Sequence, residues 1–582
     1  MKVSVVVTTY NRSSSLERCL SSLARQTFPA DEYEIVVVAD GCSDNTVAWL
    51  STFQCSCGFR WFDQPNQGQP SAQNRGVSLA RGEFVLFIDD DCICSPDLLA
   101  AHYEPHGKGE KVVVIGPVTL HPDSPGGTLR DLVKELEDAE FHRLSSEGPR
   151  RSDLLLCANS SIARCAALAC PFDETYKRIH DVEAGVRLWA KGFRPYFAPM
   201  AVVQELYTKT PKEMIRDARN QGRYEVILSA THPSFKPLAG VVRLNEGNQL
   251  KRALRKQLAL HARASEFVLR PLNSIADALH KLPPFSSLAK RILKTRGGTA
   301  HLAGAIGEAG SWKRLEEQFG VRLPVILYHN VGTPQPGEYP GLTTPTAEFE
   351  AQVKFFAKLG YQSIRPIDWL RWRDAGGSLP KRPIMLVFDD GYSEACRNAF
   401  PILERYGFCA ACMVVTQCIG LTNIWDEKVG RPSFQMMSGS EIVEWSKRNI
   451  EFGGHTRSHP ELPLIPEDRV EREVVQCRED LALLLGETPT SFAYPFGEVS
   501  SVAEAWAYKS FRLAFTAWPG RLHLGTDPHL APRISFLPGE SRFGMWCRLR
   551  LGKNPFEVCR NRWAKLTRKV GNGRVFGEKS SY

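Results

Sequence analysis

Val387-Phe-Asp-Asp-Gly391 closes an apolar run that begins at Pro383-Ile-Met-Leu-Val-Phe. A short apolar run ended by two carboxylates and a glycine reads as a buried strand that carries polar groups into a turn. In sheets of this kind ligands bind at the carboxyl ends of the strands. A second stretch, Gly453-Gly-His-Thr-Arg-Ser-His459, places His455 and His459 four residues apart. Two imidazoles with the Asp390 carboxylate make three ligands and leave coordination positions open, which is the pattern of a catalytic metal rather than a structural one. Asp389 is then free to act as a base. Alone, Asp-Asp-Gly is a common turn and a histidine pair is a satisfied loop. Their joint presence, in this order, carries the reading.

Two further segments agree, Ser491-Phe-Ala-Tyr-Pro-Phe-Gly497 and Val325-Ile-Leu-Tyr-His-Asn330. Together the four segments resemble the polysaccharide deacetylases (carbohydrate esterase family 4, the NodB-homology fold), over about residues 321 to 540. The resemblance implies a distorted (β/α) barrel. It implies zinc or another divalent metal on Asp390, His455 and His459, with Asp389 as the base. The backbone N–H of Phe496 would serve the oxyanion. Two departures stand out. The arginine that braces the base in the family's third motif is Ala493 here, and Arg533 is the expected replacement from another strand. The general acid has no clean match: His523, His529 and His329 are the candidates, with a surface histidine the plainer reading of the first two.

Working outward, 582 residues are too many for one ordinary domain, and an apolar share of 43% supports real cores. No run of eighteen apolar residues occurs, so no membrane-spanning helix is expected. Met1-Lys-Val-Ser-Val-Val-Val reads as a first strand, not a signal peptide, which gives a cytoplasmic expectation. The sixteen cysteines are scattered and read as reduced thiols; Cys409-Ala-Ala-Cys412 sits in a strand-like run and reads as buried thiols. The formal net charge is +9. Residues Val241 to Ala300 hold twelve Lys or Arg against Glu246, Glu266 and Asp277, and Ser541 to Tyr582 hold eleven against Glu557 and Glu578. Two basic segments on an otherwise acidic chain suggest an anionic surface as partner. In the first, Leu254, Leu258, Ala262 and Val268 alternate with Lys and Arg, with helix-breaking Pro271, Pro283 and Pro284 beyond. In the second, Phe556, Cys559, Trp563, Leu566 and Val570 do the same. Such stripes most often pack on their own protein. The sharper reading is peripheral contact with an anionic membrane leaflet. Nucleic acid is not expected, because no recognition motif accompanies the charge. Gly297-Gly298 and Gly304 to Gly310 read as a flexible joint.

The N-terminal half has a βαβ rhythm: Val3–Tyr10, a helical run over Ser15–Gln26, Tyr33–Ala39, and Phe84–Ile88 ending in Asp89-Asp-Asp91. A phosphate cradle of the Gly-x-x-x-x-Gly-Lys type is absent. Carboxylates clamping a divalent ion are the alternative way to hold a diphosphate, and Asp89 and Asp91 fit that task. Three aspartates alone would be a solvated turn. Val5-Val-Val-Thr-Thr-Tyr-Asn-Arg12, Val38-Ala-Asp-Gly-Cys-Ser-Asp44, Ala72-Gln-Asn-Arg-Gly76, Ala80 to Asp91, Cys157 to Arg164 and His180-Asp-Val-Glu183 tip the balance. They resemble family 2 glycosyltransferases of the GT-A fold, over about residues 1 to 235.

That resemblance implies a Rossmann-like domain binding a nucleotide sugar through Thr9, Tyr10, Asp40, Asp89, Asp90 and Asp91. Mg or Mn would sit on the Asp89/Asp91 clamp, with Asp91 a metal ligand. Asp181 would be the base on the acceptor hydroxyl, with inversion at the anomeric carbon. Glu183 is the alternative base; on one helix the two face different ways, so only one reaches the site. Three positions depart from the family: His180 for the first acid of its Glu-Asp pair, Gln73 for the arginine of Ala-Arg-Asn, and Gln204 for a late histidine.

The chain is thus expected to be an α/β protein in four parts: a glycosyltransferase domain over 1–235, a basic helical linker over 236–320, a deacetylase domain over 321–545 and a basic amphipathic tail over 546–582. The expected function is bifunctional. One half adds a sugar from a nucleotide donor, UDP-GlcNAc-like, to a glycan or lipid-linked acceptor of the cell envelope. The other removes an N-acetyl group from an acetamido sugar. The alternative keeps the transferase and makes the second half a non-catalytic sugar-binding module.

Overall fold

The computed structural model describes residues 1–107, 111–154, 158–245, 249–262, 278 and 285–553. The chain divides into two compact units, Met1–Glu317 and Gln318–Tyr582. The amphipathic stripe from Phe556 to Val570, and Val268, Pro271, Pro283 and Pro284, lie outside the described residues.

The N-terminal unit holds ten strands: β1 (Val3–Thr9), β2 (Tyr33–Asp40), β3 (Gly58–Gln64), β4 (Phe84–Asp89), β5 (Cys92–Cys94), β6 (Val112–Ile115), β7 (Val118–Leu120), β8 (Asn159–Ala163), β9 (Arg194–Phe197) and β10 (Val203–Glu205). Seven form one sheet in the order β3-β2-β1-β4-β8-β6-β9. The first four strands pair in parallel; β8 runs antiparallel to β4 and β6. β1 and β2 are apolar almost throughout because both faces are covered. Val5, Val7, Ile35 and Val37 enter one core, and Val6, Val85 and Phe87 enter the core on the other face. β5, β10 and β7 make a small second sheet that brings the end of β10 beside Asp91.

The described part of residues 236–317 packs within this unit. Thr210 and Glu213 form a capping box, with Pro211 as the first helical residue, at the start of the helix Pro211–Thr231. The helix Ser286–Ala309 lies along it. A Cβ on Gly222 would come within 2.0 Å of the His301 carbonyl, and one on Gly304 within 1.9 Å of the Arg219 carbonyl. The two pairs run in opposite order, so the helices are antiparallel, and glycine lets their backbones touch. Of the glycines read as a flexible joint, Gly297, Gly298, Gly304 and Gly307 lie inside the helix Ser286–Ala309, and Gly310 ends it in the left-handed region. Their low helix propensity is outweighed by the close crossing they permit.

The C-terminal unit carries β11 (Arg322–Leu323), β12 (Val325–Tyr328), β13 (Asn330–Gly332), β14 (Thr343–Pro345), β15 (Gln362–Ser363), β16 (Pro383–Phe388), β17 (Ala410–Val414), β18 (Ile450–Gly454), β19 (Ser491–Ala493), β20 (Leu513–Pro519), β21 (Leu522–His523) and β22 (Ala531–Arg533). The main sheet runs β12-β16-β17-β18-β19-β20-β22, all parallel, with β15 attached to β16. Past β22, Ile534 bridges to Ile326; its N–H donates to the Val325 carbonyl at 2.7 Å and its carbonyl accepts from Leu327 N–H at 2.9 Å. The last strand thus meets the first, and the sheet curls into the expected distorted barrel. The carboxyl ends of β16, β18 and β19 deliver Asp389-Asp390, His455 and the Tyr494–Gly497 turn to one rim.

Candidate active sites

In the N-terminal unit, β4 ends at Asp89 and the next two carboxylates fall in the turn. Asp90 is buried and accepts from Thr9 Oγ1 at 2.7 Å and from Arg12 at 3.0 Å. Arg12 also reaches Asp91 at 2.6 Å. Asp89 accepts from Gln69 Nε2 at 3.1 Å. Burial, then Asp91, Asp90, Glu205 and Asp181, raise the Asp89 carboxyl to about 7. Glu205 arrives through β10, paired with Cys92, and Leu206 N–H donates to the Asp91 carbonyl at 2.8 Å. This collection of mutually repelling carboxylates has Arg12 as its nearest counter-charge. Among the described residues the group of three or more side chains that converges as a metal holder is Asp390, His455 and His459, not this cluster, whose donors are all oxygens.

The other nucleotide-site residues take distinct places. Tyr10 is exposed, whereas Thr9 is buried and spent on Asp90. Asp40 is also buried: it accepts from Gln64 Nε2 at 2.8 Å, Gln67 N–H at 2.9 Å and Gly68 N–H at 2.8 Å. It holds the loop that enters the helix Gln69–Leu79. Asp181 and Glu183 separate on the helix His180–Ala190. Glu183 is buried, gripped by Arg187 at 2.6 and 2.7 Å, with His232 3.2 Å away. Asp181 adds the smallest of the named contributions to the raised Asp89 carboxyl. The helix begins after Ile179, which is left-handed at φ 55°, a rare strain for a β-branched residue.

Two of the three sequence departures prove to be one feature. His180 Nε2 lies 3.0 Å from Gln73 Oε1, and both residues are buried. Where the family pattern places an arginine and an acid, this chain places a neutral hydrogen-bonded pair. Burial lowers the His180 pKa, against the opposing pull of Asp181.

In the C-terminal unit, Asp390, His455 and His459 converge with their ligand atoms within 4.8 Å of one another, and all three are buried. Both Nε2 atoms face Asp390 Oδ1, at 3.2 Å from His455 and 3.3 Å from His459. That oxygen is buried and makes no hydrogen bond. His455 Nδ1 lies 2.8 Å from the Ala493 carbonyl, which makes it the protonated nitrogen and turns the Nε2 lone pair inward. An orphaned carboxylate oxygen between two imidazole nitrogens fits a divalent cation. Backbone strain gathers at the same place. Of seven non-glycine residues at positive φ among the described residues, four are Asp390, Thr456, His459 and Phe496.

Asp389 points at Arg533, whose guanidinium donates to Oδ1 at 2.7 Å and Oδ2 at 2.8 Å. Arg533 is 2% exposed and is itself aimed by a hydrogen bond to the Thr516 carbonyl at 2.8 Å. Burial disfavours the Asp389 charge, but Arg533, His455 and His329 outweigh it and hold the carboxyl below the usual range. His329 also helps to depress Asp390. His529 is buried elsewhere, 3.0 Å from the Phe511 carbonyl and beside Asp527, and His523 lies in the edge pairing with Arg322. Phe496 sits at φ 58° with its ring 4.7 Å from that of His459.

Residues 4–157 match the family model "Glycosyl transferase family 2", and residues 376–513 match "Polysaccharide deacetylase". The chain joins a family 2 glycosyltransferase domain to a polysaccharide deacetylase domain. The validoxylamine A glucosyltransferase of Streptomyces hygroscopicus subsp. jinggangensis is 28% identical over 341 residues, 52% of this chain and 77% of that protein. The putative polysaccharide deacetylase YxkH of Bacillus subtilis is 22% identical over 235 residues, 40% of this chain and 77% of that protein. The Streptococcus pyogenes deacetylase PplD, solved in complex with acetate, is 22% identical, covers 39% of this chain and 97% of its own, and gives a TM-score of 0.35.

Several side chains around these two domains' sites escape a reading of the sequence alone. In the glycosyltransferase domain, Glu205 and Arg12 join the aspartates. In the deacetylase domain, Glu473 accepts from Arg457 N–H at 3.0 Å and Ser458 N–H at 2.8 Å, and so pins the loop between the two histidines. Trp425 stacks on His459 with ring centres 4.4 Å apart. Arg12 closes the Val5–Arg12 segment, but its contact with the aspartates is not written there; Glu205, Glu473 and Trp425 belong to no motif, so only proximity could reveal them.

Proposed function

We propose that the chain is a bifunctional enzyme of cell-envelope glycan synthesis. One half transfers a sugar from a nucleotide-sugar donor with inversion, and the other hydrolyses the N-acetyl group of an acetamido sugar. The observation that carries the second activity is Asp389, gripped through both oxygens by Arg533, beside the convergent Asp390, His455 and His459.

In the transferase half, Asp89 and Asp91 would hold Mg or Mn, which when bound neutralises charge on the departing diphosphate. Asp181 takes the proton from the acceptor hydroxyl as its oxygen attacks the anomeric carbon from the side opposite the diphosphate. Glu183, already paired with Arg187, is not available for that task. Asp40 supports the nucleotide pocket through the Gln67–Gly68 loop, and Thr9 through Asp90.

In the deacetylase half, Asp390, His455 and His459 would hold zinc or another divalent cation, which when bound makes water a better acid and polarises the carbonyl. Asp389 accepts a proton as water adds to the acetamide carbon. The Phe496 N–H serves the oxyanion. The C–N bond then breaks, acetate leaves, and the sugar nitrogen takes a proton. We assign that delivery to His329, which follows Tyr328, whose carbonyl accepts from Asp389 N–H at 2.9 Å, and not to His529, held by the Phe511 carbonyl, or to His523 in the edge pairing with Arg322. Arg533 fills the place left by Ala493, which favours this reading over a sugar-binding module.

The simplest economy is one shared glycan, which makes a UDP-GlcNAc-like donor and a glycan or lipid-linked acceptor the proposed partners. The reading includes a cytoplasmic location with the basic segments toward an anionic leaflet. No helix among the described residues is long and apolar enough to cross a membrane. To test it, the full chain is incubated with UDP-GlcNAc and lipid-linked acceptor, and product mass and acetate are followed. Asp91→Ala should stop transfer, and Asp389→Asn and His455→Ala should stop acetate release. Acetate release at the wild-type rate in Asp389→Asn would remove the hydrolytic mechanism.

A further inference from the structure

His455 and His459 are held in different ways. A metal-binding imidazole normally donates its second nitrogen to a carbonyl or carboxylate, which fixes the ring. His455 does this through Ala493. His459 Nδ1 is buried and has no hydrogen-bond partner. Aromatic rings surround it instead. Trp425 lies nearly parallel to it at 4.4 Å and 27°, with the Phe496 edge at 4.7 Å and His455 at 4.9 Å.

Trp425 is itself held firmly. It belongs to a flap, residues 420 to 437, whose ends close on each other through Gly420 N–H to the Met437 carbonyl at 2.8 Å. Met437 N–H donates to the Gly391 carbonyl at 2.9 Å, and Ser393 N–H to the Gln435 carbonyl at 2.9 Å. The flap is therefore tied to the same turn that presents Asp390. Inside it, the buried Asn423 donates to Asp426 at 2.9 Å and accepts from Phe434 N–H at 2.5 Å. These bonds lock the short turn Ile424–Glu427 that carries the indole.

We propose that Trp425 is the positioning residue of His459: its ring face replaces the missing hydrogen bond, so the flap sets how tightly the Asp390–His455–His459 group binds a divalent cation. Aromatic stacking fixes the plane of an imidazole while leaving its Nε2 lone pair free. This rests on the metal-site reading above, and its test reads cation binding rather than deacetylation, so a catalytically silent site would still answer.

The experiment titrates Co²⁺ into the metal-free full-length protein and follows calorimetry and visible absorption. Wild type should bind one Co²⁺ at this group, and binding should be lost in His459→Ala. Trp425→Leu should weaken affinity about 10- to 100-fold, the range usual for lost outer-shell support, and alter the absorption bands. Trp425→Phe, which keeps a ring face, should stay close to wild type. Asn423→Ala, which removes the bonds that lock this turn, should weaken binding in the same direction. Circular dichroism of each metal-free variant checks folding, and the Phe–Leu comparison keeps the test informative if a smaller residue unfolds the flap. Equal affinity and spectra for the Leu and Phe variants would overturn the proposal. No Co²⁺ binding by wild type would instead overturn the metal site itself.

Discussion

Arg533 shows what one residue does here. It neutralises a buried carboxylate, so its removal leaves an uncompensated charge. Arg533→Met should destabilise the C-terminal unit by roughly 3–5 kcal/mol, and adding Asp389→Asn should recover part of that loss; urea unfolding of the single and double variants measures both. The Gln73–His180 pair makes a parallel case. Gln73→Arg or His180→Glu alone would bury one unpaired charge, at a cost of roughly 2–4 kcal/mol. Together they would rebuild an ion pair, so the double variant should unfold at a higher temperature than either single one. If its loss equals the sum of the single losses, the two positions are not coupled. The sequence exposed both departures as isolated oddities. It could not show that they face each other, because 107 residues separate them. Ala493 and Arg533 likewise belong to different strands.

At the scale of elements, local pattern was a good guide where apolar runs were strong. β1, β2, β4 and β16 fall where Val, Ile and Phe cluster, since a strand covered on both faces needs no polar alternation. Pattern failed for the helix Ser286–Ala309, whose glycines read as a joint. The helix crossing that needs them is a tertiary fact. Gly304→Ala should therefore cost roughly 1–3 kcal/mol, because the added methyl meets the Arg219 carbonyl. Gly298→Ala, with nothing within 4 Å, should stabilise by roughly 0.5–1 kcal/mol. Thermal denaturation of the two variants in parallel reads the contrast, and equal shifts would contradict the crossing.

For the whole molecule, two units with separate cores imply separable responses. The N-terminal unit contains His102 and His106, both buried. His102 sits 3.0 Å from Ser161 Oγ and 2.8 Å from Asn159 Oδ1; His106 is 2.8 Å from the same hydroxyl and stacks on Phe84. Burial lowers both to about 4, helped in His106 by the charge of His102. The folded unit thus binds fewer protons than the unfolded chain. Its stability is fully present above about pH 6.5 and falls as pH drops toward 4, by roughly 1.4 kcal/mol per pH unit for each histidine. Denaturant midpoints of the N-terminal transition at pH 7 and pH 5 should show the loss, and His102→Gln should flatten it. A midpoint indifferent to pH would exclude these histidines as the cause.

The sequence by itself determined two α/β domains, the Asp89–Asp91 cluster, and the pairing of Asp389-Asp390 with His455 and His459. These are written in short segments, because a strand and the turn that follows it are encoded together. The sequence also pointed to Arg533 as the brace of Asp389; only the tertiary structure decided that it grips both carboxylate oxygens, that Glu183 is occupied by Arg187, and that Trp425 backs His459. Each of these is a meeting of side chains from different elements. Barrel closure and helix packing, not local propensity, bring them within bonding distance.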